Sequence, residues 1–131
     1  MIMTVPKNKL SVIKNGFQTK ANRVLCVCSG GVLRSPTFAV LLTQEPYKFN
    51  TRSCGTESYA LIPLTEELVY WADEIVCAEE NHYDDVLNLL DKAYGKDESR
   101  PCVHVVGIPD DYDYMDPELV TMANNRFKEL F

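Results

Sequence analysis

The chain has 131 residues, 46% of them hydrophobic and 24% charged, enough for one ordinary core and unlike the composition of a disordered segment. Its net charge of −6 argues against a general nucleic-acid surface, which needs Lys and Arg to displace counterions, yet it leaves room for a phosphate site made of backbone N–H groups and one Arg. No apolar run approaches the ~20 residues of a membrane span, residues 1–22 lack a signal-peptide core, and five unevenly spaced cysteines do not form a disulfide framework. A cytoplasmic protein with no nucleic-acid or membrane partner is therefore expected.

Residues 1–22 predict an N-terminal arm of undefined structure, with a short element near Leu10–Ile13, ahead of a single α/β domain over 23–131. Arg23–Cys28 (RVLCVC) is a short apolar run with β-branched members, the pattern of a fully buried strand. A Gly-containing loop, Ser29–Leu33, leads into a helix over Ser35–Gln44, with Pro36 tolerated in its first turn. Tyr47–Cys54 predicts a second strand ended by Gly55, and Thr65–Ala72 a helix with an N-cap and two acids in its first turn. Glu74–Ala78 is a third strand. Asn81 is expected to cap a helix over His82–Tyr94 that stops at Gly95. Cys102–Val106 is a fourth strand, and Asp116 and Pro117 open the last helix. This alternation predicts a three-layer α/β/α domain with a four-stranded parallel sheet. Ligands in such sheets bind beyond the carboxyl ends of the strands, so the loop after the first strand is the first candidate site.

That loop reads Cys28-Ser29-Gly30-Gly31-Val32-Leu33-Arg34-Ser35-Pro36. A backbone of this length between a strand end and a helix start can curl its N–H groups inward as an anion nest, to which the helix N-terminus adds donors and partial positive charge. Gly30 and Gly31 permit left-handed or crowded backbone and let an anion approach. The Arg34 fork can grip two phosphate oxygens. The same positive surroundings favour a cysteine there as a nucleophilic thiolate, the role this pattern gives Cys28. Ser35 is placed to donate a hydrogen bond to the resulting thiolate.

VLCVCSGGVLRSPT resembles the signature of the low-molecular-weight protein tyrosine phosphatases, and the similarity runs over most of residues 23–131. Thr51–Thr56 (TRSCGT) resembles that family's second-strand segment, Trp71–Cys77 its third strand, and Ile108–Tyr112 (IPDDY) its acid loop. DDYDYMDPEL and the compact length are most similar to the shorter bacterial and viral branch. The resemblance implies hydrolysis of phosphate monoesters, chiefly phosphotyrosine in proteins or small aryl phosphates, through a phosphocysteine on Cys28. It implies Arg34 as phosphate clamp, Ser35 as thiolate partner, and the backbone of Ser29, Gly30, Gly31, Val32, Leu33 and Arg34 as phosphate cradle. Ser53 matches a serine that supports the loop. Neither cofactor nor metal is implied. Two positions within the loop depart from the family pattern: Gly31 stands where the family usually has Asn, and Leu33 where relatives carry a second Cys.

A leaving alkoxide or phenolate needs a proton, which a carboxylic acid supplies. The resemblance selects Asp110, in an Asp-Asp-Tyr triplet where the family has Asp-Pro-Tyr, with Asp111 as the alternative. Tyr112 and Tyr114 are candidates for walling the cleft around an aromatic substrate. Cys26 is expected to share a strand face with Cys28 and to be core. Cys54, Cys77 and Cys102 are likewise expected as small buried hydrophobes, Trp71 as core, and His82 and His104 as structural. Two competing readings are an arsenate reductase of the same fold, which needs a flexible cysteine pair after the third strand, and a module that binds phosphate without turnover.

Overall fold

The computed structural model describes residues 22–97 and 99–131. The expected arm over 1–22, Asn22 apart, lies outside the described residues. Four strands, β1 (Arg23–Cys28), β2 (Asn50–Gly55), β3 (Glu74–Cys77) and β4 (Cys102–Val105), alternate with α1 (Arg34–Leu42), α2 (Glu66–Trp71), α3 (Glu80–Tyr94) and α4 (Pro117–Leu130). All pairings are parallel, and the spatial order is β2-β1-β3-β4. The three-layer α/β fold with a four-stranded parallel sheet is the one expected from the alternation.

The two-residue period of β1 divides the interior. Val24, Cys26 and Cys28 point to the face covered by α1 and α4, where Phe38, Leu42, Leu119, Ala123 and Phe127 are buried. Leu25 and Val27 point to the other face, under α2 and α3, with Leu68, Trp71, Val86 and Leu90. Residues 24–28 are almost wholly buried, which is why that strand reads as a continuous apolar run and not as an alternating one. Thr65 caps α2 by accepting from the Leu68 N–H, and Asp116 caps α4 by accepting from the Glu118 N–H. No helix among the described residues is long and apolar enough to cross a membrane.

Three local expectations are corrected. β2 begins at Asn50 and not at Tyr47, because Tyr47 and Phe49 leave the sheet to stack on each other and pack edge-on against Phe131. α3 is capped by Glu79, and Asn81 already lies inside it. Cys102 is exposed, since β4 is an edge strand and its first residue faces outward.

The sheet order places the site. β1 connects through α1 to β2 on one side, whereas β3 connects through α3 to β4 on the other. The chain therefore splays apart between the ends of β1 and β3, opening the crevice where such sheets bind ligands. Cys28 ends β1, and Glu79 follows β3 by two residues.

Candidate active site

The Cys28–Arg34 loop closes around the cysteine sulfur. The Gly31 N–H donates to Cys28 Sγ at 3.3 Å and the Ser35 N–H at 3.4 Å, while Ser35 Oγ lies 3.1 Å away. Leu33 precedes α1 without a side-chain cap, so donors of the first turn face the sulfur and not a capping oxygen. The Ser35 hydroxyl also donates to the Cys54 carbonyl at 3.2 Å. One proton thus has two acceptors: it serves Cys54 while sulfur keeps its own hydrogen, and can turn to sulfur once that is a thiolate.

β2 and the segment after it hold the loop shut. The Thr56 and Glu57 N–H groups donate to the carbonyls of Cys28 and Ser29 at 2.9 and 3.0 Å. Gly31 has φ +72°, the left-handed region, and a Cβ there would lie 3.0 Å from the Cys54 carbonyl carbon and the Gly55 nitrogen. Gly55 is tighter still, for its Cβ would stand 2.4 Å from the Ser29 oxygen. Glycine at 31 therefore retains the turn, and backbone contact with β2 braces it.

Arg34 is 1% exposed. Its Nη1 donates to the Glu79 carboxylate and, at 2.8 Å, to the Ile108 carbonyl, which uses both of that nitrogen's hydrogens. Nη2 donates to Ser29 Oγ at 3.4 Å. The buried Nε has no hydrogen-bond partner among the described residues, and Asp110 Oδ1 stands 3.6 Å from it. The free donors are Nε–H and the second Nη2–H, the parallel edge of the guanidinium that grips an oxyanion bidentately.

A cavity of about 160 Å³ brings Cys28, Arg34 and Asp110 together, with Gly30, Val32, Leu33 and Tyr59 as its other walls. A larger, open groove of about 620 Å³ lies beyond Glu79 and includes Arg126, but no nucleophile lines it. The acid loop is anchored at its far end, where the Met115 N–H donates to buried Thr37 of α1 at 2.9 Å and Met115 itself takes φ +58°.

No protein-family model matches the sequence, and no curated protein matches it. Solved structures do. The tyrosine phosphatase Wzb from Escherichia coli K30, in complex with phosphate, superposes with a TM-score of 0.63 at 20% identity, covering 84% of this chain and 96% of that one. A low-molecular-weight phosphotyrosine phosphatase from Vibrio cholerae O395 gives 0.56 at 16% identity over 80% and 89%. The YwlE arginine phosphatase from Geobacillus stearothermophilus gives 0.56 at 19% identity over 83% and 92%. The chain has the low-molecular-weight tyrosine phosphatase fold.

Within that fold several side chains sit elsewhere than the sequence suggests. Tyr112, expected in the cleft wall, packs toward the α4 core with its hydroxyl 4.0 Å from Met122 Sδ, and Tyr114 is half exposed outside the cavity lining. The aromatic wall is Tyr59, from the segment between β2 and α2, whose ring reaches over Gly30. Ser53 pairs in register with Cys26 and lines a separate hollow with Arg52, Ile62 and Leu68, whereas Ser35 holds β2 through Cys54. Asp111 is exposed and outside the lining that includes Asp110. Sequence reasoning missed Glu79, which precedes α3 as an ordinary acidic residue and gives no local sign of pairing with Arg34. It also missed Gly55 as a contact, although a glycine ending a strand is a known sign of close backbone approach.

Proposed function

We propose that the protein hydrolyses phosphate monoesters through a phosphocysteine, with phosphotyrosine in proteins or peptides as the preferred substrate class. The observation that carries this is the free Nε/Nη2 edge of buried Arg34 beside a sulfur that already receives two backbone donors. Such a site presents fixed dipoles to equatorial phosphate oxygens and a nucleophile beneath the phosphorus.

In the first displacement Cys28 Sγ attacks phosphorus, the bond to the leaving oxygen breaks, and Asp110 gives that oxygen a proton. In the second, Asp110 takes a proton from water as its oxygen attacks phosphorus, and the S–P bond breaks. Ser35, 3.1 Å from Sγ, stabilises the sulfur each time it carries charge. Loop N–H groups from Ser29 to Arg34 and the Arg34 fork hold the transferring group. Val32 and Tyr59, both exposed at the rim, give it an apolar wall that suits an aryl group better than a phosphorylated guanidinium.

The arsenate reductase alternative finds little support. Cys77 is buried with its thiol pushed up to about 12 by burial first and by Glu80 and Asp85 after it, and Cys102 begins β4 at the opposite end of the sheet from Cys28.

The test is hydrolysis of an aryl phosphate and of phosphotyrosine and phosphoarginine peptides. Wild type should turn over the aryl esters, Cys28→Ser should abolish turnover, and Asp110→Ala should slow esters with poor leaving groups far more than nitrophenyl phosphate. Turnover surviving in Cys28→Ser, or equal slowing of both esters in Asp110→Ala, would refute the assignments. A preference for the phosphoarginine peptide would refute the substrate class.

A further inference from the structure

Arg34 and three neighbouring residues close into a ring of hydrogen bonds. The Arg34 Nη1 donates to the Glu79 carboxylate. The Glu79 N–H donates to His82 Nδ1 at 3.0 Å. His82 Nε2 lies 2.9 Å from Ser29 Oγ, and Ser29 Oγ accepts from Arg34 Nη2. The ring fixes its own protonation pattern. Because His82 Nδ1 accepts a backbone N–H, the proton of the neutral imidazole sits on Nε2 and is given to Ser29.

The geometry points to Ser29 and His82 as positioning residues that hold the Arg34 fork edge-on to the cavity. This rests on the phosphatase reading above and adds a role for two side chains that reading leaves unused. Nη1 alone, tied to Glu79 and Ile108, leaves the guanidinium free to rock about that nitrogen. The Ser29 contact pins the opposite nitrogen, and Ser29 is itself held by an imidazole that is 0% exposed. Fixing Nη2 by one of its hydrogens directs the other, with Nε–H, into the space above Cys28. Preorganised donors of this kind hold an oxyanion more tightly because they need no reorientation on binding.

The neutral ring is favoured by its surroundings. Burial first, then the Arg34 charge, holds His82 below its ordinary pKa of 6.5, against the opposing pull of Glu79, Asp85 and Asp110. A second proton, on Nδ1, would face the Glu79 N–H and break the ring at that link.

The decisive experiment measures inorganic phosphate affinity by calorimetry in the full chain, alongside turnover of an aryl phosphate. Ser29→Ala leaves the His82–Glu79 link untouched and should weaken phosphate on the order of tenfold, with a matching rise in KM and a smaller change in kcat. Ser29→Thr, which keeps the oxygen, should restore most of the affinity. In ring ¹⁵N spectra His82 should carry its proton on Nε2 in wild type, and that proton should exchange faster in Ser29→Ala. Wild-type phosphate affinity in Ser29→Ala, or a His82 protonated on Nδ1 alone, would overturn the inference. Affinity is read without turnover, so a wild type that binds phosphate but hydrolyses nothing would sink the phosphatase reading and leave the affinities to judge the ring. A wild type that binds no phosphate would overturn both.

Discussion

His82 shows how one side chain serves two levels of structure. At the third position of α3 its Nδ1 accepts the N–H of the capping residue, a role that Glu or Gln usually fills, while its Nε2 reaches across to the Cys28 loop. Its depressed pKa has a definite sign in the stability. Between the folded value and 6.5 the unfolded chain binds the more protons, so the contribution is present above 6.5 and lost as pH falls through the folded value. His82→Gln keeps a cap acceptor that does not titrate. Its melting temperature should therefore drop less between pH 7 and pH 5 than that of wild type, and parallel curves would remove His82 from the acid response. In the sequence this residue reads as an incidental helix-start histidine, because the two partners that give it meaning lie 3 and 53 positions away.

At the scale of elements, the strands are legible because three of the four are short runs rich in Val, Ile and Leu that alternate with helical patterns, a sign of parallel strands even where, as in β4, the strand is only partly buried. The Cys-to-Arg loop is legible because its pattern is local: thiol, glycines and guanidinium fall within seven residues. What could not be read is contact between elements. The sequence points to Tyr112 and Tyr114 as the aromatic wall because they follow the Asp-rich loop, yet it is Tyr59, from a segment with no periodicity, that lines the cavity. Cys102 was expected inside because CVHVV is apolar, and sequence does not say which strand lies at the edge. The packing of β2 against the loop is the contact with the sharpest consequence. Gly55→Ala would force its methyl into the Ser29 carbonyl, so the loop must open or the strand must shift. We expect a loss of about 1–3 kcal/mol in urea unfolding, together with a loss of phosphate binding. A variant of wild-type stability and affinity would mean that the loop and β2 separate freely.

At the scale of the whole molecule the cysteines sort by layer. Cys26, Cys54 and Cys77 are buried in or beside the central strands, and burial raises each thiol, that of Cys77 to about 12. Cys102 faces solvent at the sheet edge, and Cys28 opens into the cavity. Alkylation of the native protein followed by mass mapping should therefore mark Cys102 and Cys28. Phosphate should shield only Cys28, and the other three should react only after denaturation. Labelling of Cys26 or Cys77 in the native state would contradict the interior described above.

The guanidinium of Arg34 joins the start of α1 to the residues following β3 and β4. On the function proposed above, scaffold and receptor are the same group, and thermodynamic reciprocity applies to it. Any tetrahedral inhibitor that seats itself there also tightens the joint between the two halves of the sheet, and so would act as a pharmacological chaperone for a weakened variant of this chain.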